Sequence, residues 1–190
     1  MVEGLSQEIL DVSPPEGWSI GQLLDHLRRA DGTYGEKLCD LIELRRSGRR
    51  PAVTVGLTDM EFAVPLVPTP LLAVAEVPVA VFNYFLPETL RAFFLRNPII
   101  PARAPAALTP ESGRSKEELI EALRESMNRI ELLFLENLDL DFASLRYYHP
   151  LFGYKNAYGI LRLMTGHEQR HQKQLRALIE GISTIGSDRS

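Results

Sequence analysis

The chain has few of the features that mark secreted, membrane-spanning or nucleic-acid-binding proteins. It has one cysteine, Cys39, so no disulfide can form within the chain. Lys and Arg number 21 against 25 Asp and Glu, a net charge of −4, which offers no positive surface for phosphate backbones or anionic lipid. The N-terminal residues lack a basic region followed by an apolar run. These absences favour a cytoplasmic protein without nucleic-acid or membrane partners.

Long uninterrupted hydrophobic runs are also missing. The most apolar stretch, residues 63–86, contains four prolines and Glu76, which exclude an unbroken membrane-spanning helix. With 190 residues, 45% of them hydrophobic, the chain can bury a core without disulfides or a structural metal. We therefore expect a single domain over residues 1–190, in which any bound metal serves function more than folding.

Capping signals and helical spacing of apolar residues predict three long helices. Ser19 followed by Gln22 forms a capping box that starts a helix over residues 19–47. Ser115 followed by Glu118 starts a second helix that ends near residue 137. A third apolar stripe predicts a helix over 154–180.

The remainder of the chain shows no alternating pattern that would predict β-strands. Residues 51–110 are dense in proline and favour at most one short helix, near 87–96. The residues thus predict an all-α bundle with a long proline-rich connection.

The third helix carries the sequence His167-Glu168-Gln169-Arg170-His171, which matches the H-E-x-x-H pattern of zinc proteases. A metzincin would continue with glycine and histidine where this chain has Gln174 and Ala177. No predicted sheet edge is available to align an extended peptide. These departures argue against a protease, despite the match.

Helical phase places His167, Glu168 and His171 towards the interior of the bundle, and His26 on the flank of the first helix's apolar stripe. Each histidine alone could be an ordinary buried residue with a local hydrogen bond. The spacing of His167 and His171 brings two imidazoles to one point, and His26 would supply the third nitrogen of an open metal site. Glu168 is the candidate catalytic residue, either as a general base or as a partner that orients an imidazole, unless it turns towards solvent or an arginine.

Two further residues have simpler interpretations. His149 lies in the turn before the third helix and is expected to fix that turn rather than to bind metal. Cys39 falls on the face opposite the first helix's apolar stripe and is interpreted as an ordinary thiol.

Two segments resemble the DinB-like, or YfiT-like, superfamily of metal-dependent proteins. They are WSIGQLLDHL (18–27) and HPLFGYKNAYGILRLMTGHEQRHQKQL (149–175). The resemblance implies an up-down-down-up four-helix bundle, often dimeric. It also implies a divalent metal, zinc or nickel, held by His26, His167 and His171. Some members of that superfamily are thiol S-transferases that use low-molecular-weight thiols.

The chain departs from the family pattern before Trp18, because only 17 residues precede it where a long helix is usual. The fourth bundle position is then filled by residues 76–96 or by a partner chain.

The predicted function is that of a divalent-metal-dependent protein with an open three-histidine site and a small-molecule substrate. The metal would lower the pKa of a coordinated thiol or water. A thiol would give S-transferase-like chemistry on a small electrophile, with a low-molecular-weight thiol as co-substrate. A metal-dependent hydrolase of a small substrate and a non-catalytic metal- or ligand-binding stress module remain open alternatives. A homodimer is expected in each case.

Overall fold

The structure is a computed structural model that describes residues 1–15, 17–55, 87, 89–90, 93, 96, 106–149 and 152–187. This part of the chain is mostly helical and includes a small sheet. None of its helices combines the length and the hydrophobicity that a membrane span requires.

Three long helices are present as predicted, and a short one precedes them. The third long helix begins at Ala157 and continues through Gly181 to Ser187, whereas the sequence predicted 154–180. The helices are α1 (Gln7–Asp11), α2 (Ile20–Arg46), α3 (Lys116–Leu135) and α4 (Ala157–Ser187). Both capping boxes are confirmed, since the Ser19 and Ser115 hydroxyls each accept a hydrogen bond from the backbone amide three residues on. Helix α1 was not predicted, because its five residues are too few to show a helical period.

The absence of strands was a wrong prediction. A three-stranded sheet consists of β1 (Ala52–Thr54), β2 (Arg146–His149) and β3 (Gly153–Asn156). Strand β2 lies in the centre, parallel to β1 and antiparallel to β3. Strands of three or four residues are too short for alternation to be recognised in the sequence. The second hairpin strand begins at Gly153, whose φ of +68° suits glycine.

The short helix predicted near 87–96, the apolar segment 63–86 and the occupant of the fourth bundle position lie outside the described residues, apart from scattered positions between 87 and 96.

The buried apolar residues form two clusters at opposite ends of α2. One cluster joins the start of α2 to the start of α3 and the C-terminal half of α4; its buried members include Leu23, Leu24, Leu119 and Leu175. The other joins the end of α2 to later residues of α3 and to the start of α4; its buried members include Leu38, Leu41, Ile130, Ile160 and Met164. Helices α2 and α3 therefore run in the same direction, and α4 runs in the opposite direction.

A polar layer lies between the two apolar clusters. On α2 it comprises residues 25–31, and on α4 it comprises residues 167–171. Asp25, His26 and Asp31 are almost completely buried, as is His171. Because buried ionisable groups cost stability unless they are paired or coordinated, this layer is the first place to look for a functional site.

Candidate metal centre

Three imidazoles converge in the polar layer. His26 comes from α2, while His167 and His171 stand one turn apart on α4. The Nε2 atom of His167 lies 3.3 Å from Nε2 of His26 and 3.0 Å from Nε2 of His171. One ring nitrogen from each residue lies within 4.8 Å of the other two. The structure therefore brings together the three histidines that the sequence proposed as metal ligands.

Hydrogen bonds fix the tautomers of two of these rings. The Nδ1–H of His26 donates to the carbonyl oxygen of Leu108 at 2.8 Å. The Nδ1–H of His171 donates to Oε1 of Gln174 at 2.5 Å. Since a neutral imidazole carries one proton, both Nε2 atoms present lone pairs towards Nε2 of His167.

The three facing nitrogens cannot all satisfy one another. His167 can offer at most one proton at Nε2, so at least one of the two short N···N contacts joins two lone pairs. A cation between them removes this repulsion, and the separations approach the value of about 3.3 Å between neighbouring nitrogens of a tetrahedral ion with 2.0–2.1 Å bonds. The residues present therefore fit a divalent metal.

The electrostatics keep the imidazoles neutral. Burial, together with the other two histidines, holds the pKa of His167 well below its usual range. Burial and His26 lower the pKa of His171 to about 4. Burial also lowers the pKa of His26. Because a metal ligand must be deprotonated, these shifts prepare the site for a metal at neutral pH.

A buried carboxylate anchors the loop that holds His26. Asp25 accepts hydrogen bonds from the side chains of Arg28 and Arg29 and from the backbone amide of Glu111. Burial alone would raise the pKa of Asp25, but these three hydrogen bonds hold it below its ordinary value. Asp25 thus ties the loop that contains Leu108 and Glu111 to α2, and the Leu108 carbonyl of this loop orients His26.

The indole ring of Trp18 covers another side of His26, with ring centroids 4.7 Å apart. The His26 imidazole is thereby held between an aromatic face and a backbone carbonyl. Such support limits the positions that a ligand ring can adopt.

The structure does not place Glu168 in the group of three histidines. Its half-buried carboxylate lines a cleft between α2, α3 and α4, which Asp31 also lines. The interpretation of Glu168 as a general base therefore stays a prediction.

His149 is separate from the three histidines and has the structural role expected of it. Its Nδ1 accepts a hydrogen bond from the backbone amide of Phe152 across the β2–β3 turn. Burial lowers the pKa of His149 to about 3, so the ring is neutral and can accept this bond.

Cys39 also agrees with its interpretation. Burial and the nearby Glu43 and Asp40 carboxylates raise the pKa of its thiol, which disfavours the nucleophilic thiolate.

The comparison with known families agrees with the geometry. The profile of the DinB superfamily matches residues 1–175. The chain belongs to the DinB superfamily. No curated protein and no solved structure matches it.

For this member of the DinB superfamily, sequence analysis located the three histidines but missed the residues that support them. No sequence pattern distinguishes Asp25 from other acidic residues on helices. The Leu108 carbonyl cannot be recognised either, because every residue has a backbone carbonyl. Asp31 did leave a signal, because it follows Leu27 by one helical turn and so stands in the apolar phase of α2.

Proposed function

We propose that this protein is a divalent-metal-dependent enzyme that transfers a small thiol to an electrophilic small molecule. The observation that carries the proposal is the convergence of three Nε2 atoms, two of them fixed as lone-pair donors by hydrogen bonds at Nδ1. Membership of a superfamily that is typically metal-associated supports it. Zinc and nickel both accept imidazole ligands, and we propose one of these two.

Each residue has a defined part in this proposal. His26, His167 and His171 would hold the ion, and three protein ligands leave at least one position open. When bound, the ion supplies Lewis acidity, which lowers the pKa of the thiol that it meets. Leu108 and Gln174 keep the rings of His26 and His171 aimed at the site.

The positive charge of Arg170 favours an anionic reactant at this site. Its guanidinium lies close enough to the three histidines to lower the pKa of each. Burial lowers the pKa of Arg170 itself, which means that its positive charge is only partly solvated. A thiolate, or a carboxylate elsewhere on a thiol co-substrate, would be attracted to this charge.

The proposed reaction forms a carbon–sulfur bond. The sulfur attacks an electrophilic carbon, the leaving group departs with its bonding electrons, and the thiol proton passes to solvent. A thiol loses its proton far more readily than water does, so transfer of a thiol needs no general base within the group of histidines. This favours a thiol over water as the nucleophile at this site.

The test is turnover by metal-loaded protein with a panel of low-molecular-weight thiols and an electrophilic acceptor such as a chlorodinitrobenzene. We expect thiol-dependent product that is lost in His171→Ala, together with the bound metal measured by elemental analysis. His149→Ala is the matched control and should keep both. Hydrolysis of the acceptor without thiol would indicate a hydrolase, and metal binding without turnover would indicate a non-catalytic binding module.

Glu168→Gln tests whether the carboxylate beside His167 takes part. If Glu168 moves a proton or orients a ligand ring, this variant keeps about one metal per chain and loses about tenfold or more of the turnover. Unchanged turnover would show that the H-E-x-x-H match has no meaning beyond its two histidines.

We also propose the up-down-down-up four-helix arrangement for the whole chain. The directions of α2, α3 and α4 support it, because two parallel helices followed by an antiparallel one correspond to its last three members. Parallel neighbours need a long crossover, and residues 47–115 provide the length. A cytoplasmic location belongs to this proposal and rests on composition alone.

A further inference from the structure

A second polar feature of the middle layer lies outside the group of histidines. Between α2, α3 and α4 is a cleft of about 580 Å³, a size typical of small-molecule sites. Three carboxylates line it: Asp31 from α2, Glu168 from α4 and Glu3 near the N-terminus. Glu3 is exposed and pairs with Arg124, which also lines the cleft. None of the three histidines lines this cleft.

Asp31 is the unusual one of these carboxylates. Its side chain is 1% exposed, and neither carboxylate oxygen has a hydrogen-bond partner among the described residues. Burial and the proximity of Glu168 raise the pKa of Asp31 to about 7. An unpaired buried carboxylate is costly, and nearly all such groups in native proteins have a hydrogen-bond partner.

The other residues that line the cleft are mainly apolar, although Arg124, Asn128 and Gln172 also line it. The apolar ones come from the N-terminus and from all three helices and include Leu24, Leu27, Ile120, Leu123, Met127 and Leu175. Apart from the exposed Arg124–Glu3 ion pair, the cleft thus combines apolar walls with the carboxylates of Asp31 and Glu168, beside the candidate metal centre.

We propose that this cleft binds a small organic ammonium ion with an apolar body. Asp31 would accept hydrogen bonds from the ammonium N–H groups, Glu168 would add negative charge, and the leucine-rich walls would cover the hydrocarbon part. A primary or secondary ammonium meets these requirements because it carries N–H donors. A quaternary ammonium carries none and should bind more weakly.

A divalent metal ion fits the cleft less well. Calcium takes six to eight oxygen ligands, and magnesium requires octahedral coordination. Glu3 is already paired with Arg124, and the two remaining carboxylates supply too few of these oxygens. The chemistry of the walls therefore favours an organic cation over a hard metal ion.

The test is calorimetric titration of the metal-loaded protein with n-hexylamine near pH 8, beside hexan-1-ol and hexyltrimethylammonium. Hexylamine should bind more tightly than both. Asp31→Asn keeps the shape of the side chain and removes its charge. It should weaken the binding of hexylamine by at least about tenfold, the scale of a lost charged hydrogen bond. Asp40→Asn is the matched control on the same helix and should bind as the wild type does, since its carboxylate pairs with Lys37 away from this cleft.

An amine can also bind a metal ion, so the two sites must be separated. His171→Ala removes a proposed metal ligand that does not line the cleft. Retained hexylamine binding in this variant supports the cleft, whatever becomes of the proposed enzyme activity. Loss of binding in His171→Ala but not in Asp31→Asn would assign the amine to the histidines and overturn the proposal.

Further outcomes would also overturn it. These are no binding of hexylamine, equal binding of hexan-1-ol, or Asp31-dependent binding of magnesium or calcium in place of the amine. If Asp31→Asn does not fold, Met127→Lys provides a second variant, because it places an ammonium group on the wall of the same cleft. Met127→Lys should lose hexylamine binding and its neutral control Met127→Gln should retain it; equal binding by the two would count against the proposal.

Discussion

At the scale of single residues, the tautomers of two histidines decide what the site can bind. An imidazole is a metal ligand only through a nitrogen that carries a lone pair. The side-chain oxygen of Gln174 accepts a hydrogen bond from Nδ1–H of His171, and the Leu108 carbonyl accepts one from Nδ1–H of His26. Both rings are therefore oriented with Nε2 towards His167.

Gln174→Ala should weaken metal binding without removing a ligand. Loss of a hydrogen bond to a ligating histidine typically costs about 10- to 100-fold in metal affinity. Competition with a chromophoric chelator would measure the change. Gln169→Ala provides the control, since Gln169 is exposed on the same helix. Equal affinities in the two variants would contradict a role for Gln174 in orienting His171.

Asp31 makes a second prediction at this scale, about the pH dependence of stability. The pKa of Asp31 is raised in the folded protein from 3.8 to about 7, so the folded state binds more protons than the unfolded state between these values. Stability from this group is fully present below about pH 4 and is lost as the pH rises through 7. The raised pKa corresponds to a destabilisation of about 4 kcal/mol once the carboxylate is ionised in both states.

Asp31→Asn should therefore increase the free energy of unfolding at pH 8 by a few kcal/mol, and by less than about half of that at pH 5. Denaturant titration at the two pH values, without amine, measures both numbers. The exposed Asp40→Asn should change stability little at either pH, since exposed ion pairs contribute about 0–1 kcal/mol. A destabilised Asp31→Asn protein at pH 8 would show that the carboxylate has a favourable role in the unliganded fold.

At the scale of elements, the loop before α3 is coupled to α2 through Asp25. Its carboxylate accepts a hydrogen bond from the backbone amide of Glu111, and Arg29 forms salt bridges with both Asp25 and the Glu111 side chain. The same loop carries Leu108, whose carbonyl holds His26. The geometry of the candidate metal centre therefore depends on a loop outside the group of three histidines.

Asp25→Asn should loosen this loop and weaken metal binding, although Asp25 is not among the three proposed ligands. The charge on Asp25 is paired in the fold, so its removal leaves Arg28 and Arg29 without their shared partner. We expect faster amide hydrogen exchange in residues 106–111 and a metal affinity lowered by about tenfold or more. Unchanged exchange combined with unchanged affinity would show that the loop is held by other contacts.

At the scale of the whole molecule, exposed apolar side chains on and after α3 indicate a surface for a second copy. Leu132 and Leu135 are 51% and 54% exposed, and Leu138 is 77% exposed. Exposed apolar side chains that cluster in this way often mark an interface. A homodimer stays a prediction, and these leucines are its proposed contact.

Sedimentation at micromolar concentration should show a dimer, and Leu135→Glu should shift it towards the monomer, because a charge would then be buried without a partner. Tyr154→Glu is the control, as Tyr154 is 78% exposed on a different element, strand β3. Wild-type protein that sediments only as a monomer would refute the dimer.

The sequence by itself determined the long helices and the identity of the candidate ligands. Capping boxes at Ser19 and Ser115 are local interactions within four residues, and the spacing of His167 and His171 is fixed by the helix that carries them. Such features depend on the neighbours of each residue along the chain, so a pattern can reveal them. The position of His26 opposite this pair was predicted from helical phase and from the resemblance to a family.

Only the tertiary structure decided which partners those residues meet. The parallel pairing of β1 with β2 joins segments more than 90 residues apart, and the bond from His26 to Leu108 spans 82 residues. The same holds for Asp31 and Glu168, which share one cleft because α2 and α4 pack in opposite directions. Contacts between distant segments depend on how whole elements pack against one another, and no local pattern in the sequence encodes them.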